Sequence, residues 1–318
     1  MKFCLCPESQ MITMNPDQKK YLIVIAGPTA SGKTEWSIKL AKALKTEIIS
    51  ADSRQIYKEM RIGTAVPSTE ELACVKHHLI QHISIKQNYD VARYEQEALN
   101  LLNNLFTKYS VVILTGGTGL YVDAVCRGLD NIPETSPEIR ERVTQLYKNQ
   151  GLQALQNEVK KLDPEYYEIL DIMNPRRLQR ALEVIWQTGR PFSFYRKRKT
   201  VPRPFEIIWT AIDMDRQQLY NRINMRVEKM LSEGLIAEAK TLAKYKHLNA
   251  LNTVGYKELF AYFEGVMSMN EALEKIKTNT RQYAKRQLTW LHKNTEYKWF
   301  KKDDFDSLLN YVLTQMER

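Results

Sequence analysis

Cysteine is scarce in this chain: there are four among 318 residues, at positions 4, 6, 74 and 126. They form neither a C-x-x-C pair nor a His/Cys cluster at zinc-binding spacing, which argues against a structural zinc site. The five histidines also lack catalytic or metal-binding spacing, and the adjacent pair His77-His78 is predicted to be structural. Reduced thiols in a cytosolic compartment are the simplest account of this usage.

Long apolar runs are absent as well. No stretch reaches the roughly 18 apolar residues that a membrane span requires. Residues 1–16 contain one lysine and no long apolar core, unlike a secretory signal. We therefore expect a soluble cytoplasmic protein with no membrane partner. Residues 1–20 are predicted to be a flexible tail, with Met11 or Met14 as a candidate start.

Acidic residues are outnumbered by basic ones, 37 to 47, so the net charge is +10. This balance favours partners that carry many phosphates, nucleic acid before an acidic membrane. Composition alone leaves open a basic enzyme with no polyanionic partner. The length allows one large domain or two modest ones, and we expect a monomer.

The most informative stretch is YLIVIAGPTASGKT, residues 21–34. A β-branched apolar run leads into the phosphate-loop pattern G-x-x-x-x-G-K-[ST], and a helix-forming run follows. Backbone N–H groups of such a loop converge on phosphate oxygens, assisted by the helix dipole. The lysine can reach a terminal phosphate and the threonine hydroxyl can bind Mg²⁺. The predicted phosphate- and metal-binding residues are Gly27, Pro28, Thr29, Ala30, Ser31, Gly32, Lys33 and Thr34, with Thr34 as the metal ligand.

Strands alternate with helices along most of the chain, which predicts an α/β protein with a phosphate-loop-type parallel sheet covered by helices. Strands are expected at 21–26, 47–51, 78–83, 111–115, 206–212 and 297–300. Between 129 and 200 the patterns are helical, at 137–147, 152–162 and 175–188. We therefore expect a core formed by 21–128 and 201–318, interrupted by an all-helical insertion at 129–200.

A nucleotide hydrolase of this type normally has an aspartate after a second apolar strand, to hold Mg²⁺. Here VVILT, residues 111–115, runs into Gly-Gly-Thr instead, which weakens nucleotide hydrolysis as the function. Asp52 follows a strand near the phosphate loop, where it could act as a general base, a helix cap or a metal-shell residue. Thr118 lies in a glycine-rich turn; its hydroxyl could enter the same crevice or stabilise its own loop.

Three basic stretches suggest nucleic acid as the partner. They are 190–203, which interleaves cations with aromatic residues, 281–286 with Lys293, and Arg176, Arg177 and Arg180 in the helical block. Solvated helix faces usually mix signs, whereas clustered cations with aromatics suit phosphate contacts and base stacking.

With these motifs in place, the chain resembles the tRNA dimethylallyltransferase family of bacterial type. The matching segments occur in one order across residues 21–299: GPTASGKT, DSRQIYKEMRIGTAVP, GGTGLY, NPRRLQRALEV, VGYKE and RQYAKRQLTWL. The zinc-finger extension of eukaryotic relatives is missing.

The resemblance implies transfer of a dimethylallyl group from its diphosphate to N6 of adenine 37, next to the tRNA anticodon. The phosphate loop would then hold the donor diphosphate with Mg²⁺, and Asp52 would take the N6 proton. Arg226 matches the family's diphosphate-binding arginine, with Arg222 as second choice, and Thr118 would lie near the reacting centre. The implied tRNA-binding residues are Asp52, Ser53, Arg54, Gln55, Thr118, Arg140, Arg176, Arg177, Leu178, Gln179 and Arg180. The roles of Arg281, Lys285 and Arg286 stay open between RNA contact and structural pairing.

Three other functions remain as alternatives. Prenylation of free AMP, ADP or ATP would use the same loop and aspartate, but would not need an arginine-bearing helical insertion. An ATP-dependent phosphotransferase gives no reason for the segments after Gly116. A non-catalytic RNA-binding protein would keep its activity without Asp52.

Overall fold

A six-stranded parallel sheet forms the centre of the computed structural model, which describes residues 19–197 and 200–317. The predicted tail falls almost wholly outside the described residues. The strand order is β3-β2-β4-β1-β5-β6. The strands are β1 (Tyr21–Ala26), β2 (Ile48–Ser50), β3 (His77–His78), β4 (Val111–Thr115), β5 (Glu206–Asp213) and β6 (Lys298–Lys301).

Thirteen α-helices are present in the described part of the chain. They are α1 (Lys33–Leu44), α2 (Thr69–Cys74), α3 (Val91–Leu105), α4 (Gly119–Arg127), α5 (Pro137–Leu162), α6 (Pro164–Ile169), α7 (Pro175–Thr188), α8 (Phe192–Tyr195), α9 (Arg216–Ser232), α10 (Leu235–Leu242), α11 (Tyr256–Phe263), α12 (Met269–Leu291) and α13 (Phe305–Met316). Short 3₁₀ turns occur at Ala243–Tyr245 and Asn249–Leu251.

Both faces of the sheet are covered, as the continuous apolar strands predict. Side chains alternate along β1, so Leu22 and Val24 pack into a core with α3, α4 and the end of α12. Ile23 and Ile25 point to the opposite face and pack with α1 and α13. All six residues of β1 are buried. The predicted fold class is therefore confirmed.

The chain divides into two compact units. The first consists of the residues up to Cys126 together with those from Arg203 onward, and the second is Arg127–Pro202. The second unit contains α5 to α8 and has its own apolar core, which includes Val143, Leu155 and Leu182. Helix α5 is broken at Gly151, where φ is 74° and ψ is −169°. The break falls between the two helices that the sequence predicts at 137–147 and 152–162.

The predicted strand at 78–83 is wrong over most of its length. Strand β3 is only His77–His78, and Leu79 and Gln81 have positive φ angles of 58° and 46°. A left-handed backbone cannot continue a ladder, so the chain turns there before Ile83 makes an isolated parallel bridge with Tyr57. The structural role predicted for His78 fits its bond to the carboxylate of Glu47, at 2.5 Å.

Candidate functional site

Three predicted segments meet at the carboxyl edge of the sheet. The phosphate loop follows β1, Asp52 follows β2, and the glycine-rich turn at 116–119 follows β4, which lies between β1 and β2. Backbone bonds join two of these ends: Ala51 N–H donates to Thr115 O at 2.7 Å, and Thr118 N–H to Ala51 O at 3.0 Å. The edge at which ligands bind in open α/β sheets thus carries all three.

The phosphate loop joins β1 directly to α1. The side chain of its lysine, Lys33, turns back toward the start of the loop. Lys33 Nζ donates to Gly27 O at 2.9 Å and to Pro28 O at 2.8 Å. Ser31 is fully buried and does not line the cavity beside the loop. Thr34, the predicted metal ligand, lines the cavity beside the loop.

Helix α9 contributes two arginines to the same loop. Arg226 Nη1 donates to Thr29 Oγ1 at 3.0 Å, and Arg222 Nε donates to Ala30 O at 2.8 Å, one helical turn earlier. The family resemblance implies both as diphosphate-binding candidates. Their placement on the loop leaves each able to contribute positive charge beside a bound phosphate.

Burial controls the protonation of these cations. Burial and, after it, the nearby Arg226 charge lower the pKa of Lys33 to about 7, although the Asp52 carboxylate opposes the shift. Burial also lowers the pKa of Arg226, again opposed by Asp52. Two desolvated cations in one place create a site that an anionic ligand stabilises.

A cavity of about 1000 Å³ opens beside the loop. The groups that matter for binding an anion are Lys33, Thr34, Arg222 and Arg226, and Asp52 also lines the cavity. The segment 61–71 forms another wall of the cavity, in which Ile62 and Val66 add apolar surface beside polar residues such as Glu71. The cavity is therefore lined by both cationic and apolar side chains.

The Asp52 carboxylate is held in a defined orientation. Its Oδ1 accepts from Arg54 N–H at 2.9 Å and from Gln55 N–H at 3.3 Å. Its Oδ2 faces Gly117, where an added Cβ would lie 3.2 Å from Oδ2 and 2.8 Å from Gln287 Nε2. Because glycine leaves this space open, one carboxylate oxygen stays available to a proton donor in the crevice.

Thr118 links the glycine-rich turn to the aspartate segment. Its Oγ1 accepts from Ser53 N–H at 2.9 Å and donates to Ser53 Oγ at 3.1 Å. The hydroxyl thus bonds to a neighbouring segment, and Thr118 does not line the cavity beside the phosphate loop. The predicted RNA-binding side chains of Arg54 and Gln55 have partners within the chain: Arg54 donates to Asn249 O and Ala250 O, and Gln55 donates to Thr64 O and Ala65 O.

A second, smaller cavity of about 220 Å³ adjoins the glycine-rich turn. Thr118, Leu120 and Trp290 line it, and Arg286 stands at its wall. Gly116, Gly117, Tyr283 and Gln287 line both cavities. The two spaces therefore share one wall, made by the turn and by helix α12.

The predicted RNA-binding set of the helical unit divides by exposure. Arg176 and Arg177 are exposed at the start of α7, and Gln179 is half-buried. Arg140 and Arg180 both donate to Thr135 Oγ1, at 2.9 and 3.2 Å. Leu178 must be removed from the set as a side-chain contact, because it is fully buried in the core of the unit.

The basic stretch at 190–203 is largely engaged within the protein. Arg190 and Lys197 lie over the Phe194 ring, and Arg196 lies over Tyr166. Arg203 is wrong as an RNA contact: it pairs with Glu95 at 2.5 Å, with only 10% of its side chain exposed. Arg198 and Lys199 lie outside the described residues.

Helix α12 carries Arg281, Lys285 and Arg286, whose roles the sequence leaves open between RNA contact and structural pairing. Arg281 donates to Asn224 Oδ1 and Thr278 Oγ1, which is structural pairing. Lys285 is exposed, and Arg286 lies over the Tyr283 ring. Tyr283 and Gln287 on this helix also contact the site, and neither is among the residues predicted from the sequence. Their signal is a polar pair at i and i+4 beside the apolar positions Ala284 and Leu291.

The 61–71 wall is held by one carboxylate. Glu238 accepts from the N–H groups of Arg61, Ile62 and Gly63 at 2.8 to 2.9 Å, and from Tyr256 O–H at 2.6 Å. An amide cannot accept on both ends, so we expect Glu238→Gln to destabilise the protein by about 2 kcal/mol or more.

Denaturant unfolding measures this loss, with Glu264→Gln as the matched control. Glu264 pairs with Lys246 at the surface, and an exposed pair contributes at most about 1 kcal/mol. Equal stability of the two variants would remove the role assigned to Glu238.

No helix within residues 19–197 or 200–317 is long and apolar enough to cross a membrane. The same residues contain no group of three or more His, Cys, Asp or Glu side chains arranged to hold a metal. Thr34 lines the cavity, so its hydroxyl is placed where a hard cation could take it as one of several oxygen ligands. Fold and site together define a phosphate-loop α/β protein with a site for an anionic ligand.

Comparison with known proteins identifies the family. The IPP transferase family model matches residues 55–294. The tRNA dimethylallyltransferase of Christiangramia forsetii is 52% identical over 284 residues, 89% of this chain and 94% of that protein. The chain therefore belongs to the IPP transferase family, and the predicted family is confirmed.

Solved structures agree with this assignment. The full-length tRNA isopentenylpyrophosphate transferase of Bacillus halodurans is 34% identical with a TM-score of 0.70, covering 94% of this chain and 97% of that one. A eukaryotic dimethylallyltransferase acting on tRNA has a TM-score of 0.72 at 26% identity, covering 90% of this chain and 75% of its own.

Proposed function

We propose that this protein transfers a dimethylallyl group from dimethylallyl diphosphate to N6 of adenine 37 in tRNA and releases diphosphate. The observation that carries the proposal is the meeting of the phosphate loop, Asp52 and the Thr118 turn at one sheet edge. Family membership supplies the reaction class; the donor and the position in the anticodon loop are part of the proposal.

The leaving group is the first chemical requirement. As the allylic C–O bond breaks, negative charge accumulates on the diphosphate. Loop N–H groups, Lys33 and Arg226 stand where they can stabilise that charge. Mg²⁺ held by Thr34 and the diphosphate oxygens would supply further positive charge there when bound.

The nucleophile is the second requirement. The adenine amino group is weak because its lone pair is delocalised into the ring, so it needs a proton acceptor as the C–N bond forms. Asp52 offers its Oδ2 toward the crevice and keeps Oδ1 bonded to the backbone. The proton released from N6 goes to Asp52, which balances the transfer.

Access to the base is the third requirement. A stacked adenine cannot enter a crevice, so the target nucleotide must be extruded from the anticodon loop. We propose that the exposed Arg176 and Arg177, with Arg140, Gln179 and Arg180, contact the anticodon arm. A monomer acting on tRNA in the cytoplasm completes the proposal.

The test is incorporation of labelled dimethylallyl diphosphate with Mg²⁺ into three acceptors: an unmodified anticodon stem-loop, the same RNA with guanosine at position 37, and AMP. Label on the first RNA alone is the expected result. Label on AMP alone would indicate a free-nucleotide prenyltransferase. No label, with γ-phosphate transfer from ATP, would indicate a phosphotransferase, and RNA binding without any transfer would indicate a binding protein.

A further inference from the structure

The side chain of Gln287 connects the two sides of the proposed reaction centre. Its Oε1 accepts from Thr29 N–H in the phosphate loop at 2.7 Å. Its Nε2 donates to Gly117 O in the glycine-rich turn at 2.7 Å. One side chain on α12 is therefore bonded to the backbone of the donor loop and to that of the turn carrying Thr118.

Both partners of Gln287 belong to residues that hold the proposed machinery. The Thr29 hydroxyl accepts the bond from Arg226, so the loop residue that Gln287 fixes also fixes the arginine. Gly117 immediately precedes Thr118 and faces Asp52 Oδ2. A shift of either backbone would change the separation between the diphosphate cradle and the proton acceptor.

Only a primary amide meets the chemical demand of this position. Gln287 is a buried residue, 8% exposed, and its side chain must accept on one atom and donate on the other. A glutamate would place a second acceptor against Gly117 O, and a methionine of similar length would leave both backbone groups unpaired. Tyr283 O–H also donates to Gly117 O at 3.1 Å, so the turn keeps one bond when Gln287 is replaced.

We propose that Gln287 is a positioning residue that sets the separation between the diphosphate loop and the acceptor turn; this rests on the proposed function. Gln287 lines both cavities at their common wall, so it acts where donor and acceptor must come together. A reactant misplaced by about 1 Å can lose about 10²-fold in rate. The effect is expected in kcat, because the groups that bind each substrate remain present.

The experiment compares Gln287→Met and Gln287→Glu with Gln282→Met and Gln282→Glu, the same changes at an exposed position of the same helix. Steady-state prenyl transfer to the stem-loop RNA gives kcat and both KM values. Inorganic pyrophosphate binding and the thermal midpoint are measured on each variant. The Gln287 variants are expected to lose about 10²-fold in kcat while both KM values stay within about threefold.

The outcomes separate this proposal from the proposed function. Unchanged kcat in both Gln287 variants, with an active wild type, overturns the role of Gln287 alone. A fall in pyrophosphate affinity and thermal midpoint without a selective loss of kcat also overturns it, because that marks a merely structural residue. A wild-type protein that transfers no label overturns both proposals.

Discussion

Asp52→Asn is expected to reduce the rate of prenyl transfer by about 10²-fold or more, because loss of a general base lowers a rate by about 10²- to 10⁴-fold. The affinity for RNA should stay within about threefold of the wild type. Asparagine keeps an oxygen that can accept from Arg54 and Gln55 N–H. The segment should therefore retain its fold while the proton acceptor is lost. Single-turnover transfer and RNA-binding measurements on the same preparation separate the two effects.

Asp52→Ala serves as the comparison. Alanine removes the same base and also the oxygen that accepts hydrogen bonds from Arg54 N–H and Gln55 N–H. We therefore expect an equal loss of rate and, in addition, a loss of stability. A turnover near that of the wild type in Asp52→Asn would contradict the assigned role. It would leave Asp52 as a residue that only shapes its own turn.

Lys33→Met is expected to lower kcat/KM for dimethylallyl diphosphate by about 10²- to 10³-fold. Removal of one hydrogen-bond donor that stabilises developing negative charge has an effect of about this size. The wild-type lysine has a pKa lowered to about 7 by burial, so at pH 8 most of the free protein carries it neutral. A bound diphosphate favours the charged amine and raises that pKa. Donor binding should therefore take up close to one proton at pH 8 and much less at pH 6.

Calorimetry in buffers of different ionisation enthalpy measures this uptake. The diphosphate itself titrates, so the informative quantity is the difference between wild type and Lys33→Met at each pH. Equal proton uptake by the two proteins would rule out Lys33 as the titrating group. The sign also bears on folding: a lysine whose folded pKa lies below its unfolded value costs stability most below pH 7. The cost is relieved as the pH rises toward 10.5.

The architecture was readable from the sequence where one local pattern dominates. The run Tyr21–Ala26 is apolar at every position and ends in a phosphate-loop motif, so strand, loop and helix follow from neighbours in the chain. A strand was wrongly predicted at 78–83 because two residues of this segment adopt positive φ angles. The β-branched and apolar composition of the segment does not predict such angles. Helix α4 is not among the helices predicted from the sequence, because its first residues, Gly119-Leu120-Tyr121, complete a glycine-rich motif.

Only those residues of the site that belong to sequence motifs could be predicted from the sequence. Asp52, Thr118 and the loop stand at strand ends, where parallel topology makes proximity predictable. Gln287 lies 258 residues beyond Thr29, and a glutamine on an amphipathic helix has no motif of its own. Leu178 was included because it sits among arginines in sequence, whereas the helix turns it inward to the core. Contacts of this kind depend on packing across distant elements.

The strand order also determines when the sheet can be completed during synthesis. Strand β1 pairs on one side with β4, but on its other side Tyr21 pairs with Glu206. At roughly 5 to 20 residues per second, β1 waits about 10 to 40 s for that second partner. Meanwhile Arg127–Pro202 can assemble through its own local contacts. The nascent chain therefore exposes an apolar strand edge while Arg127–Pro202 folds, so chaperone binding should concentrate on YLIVIA in that interval.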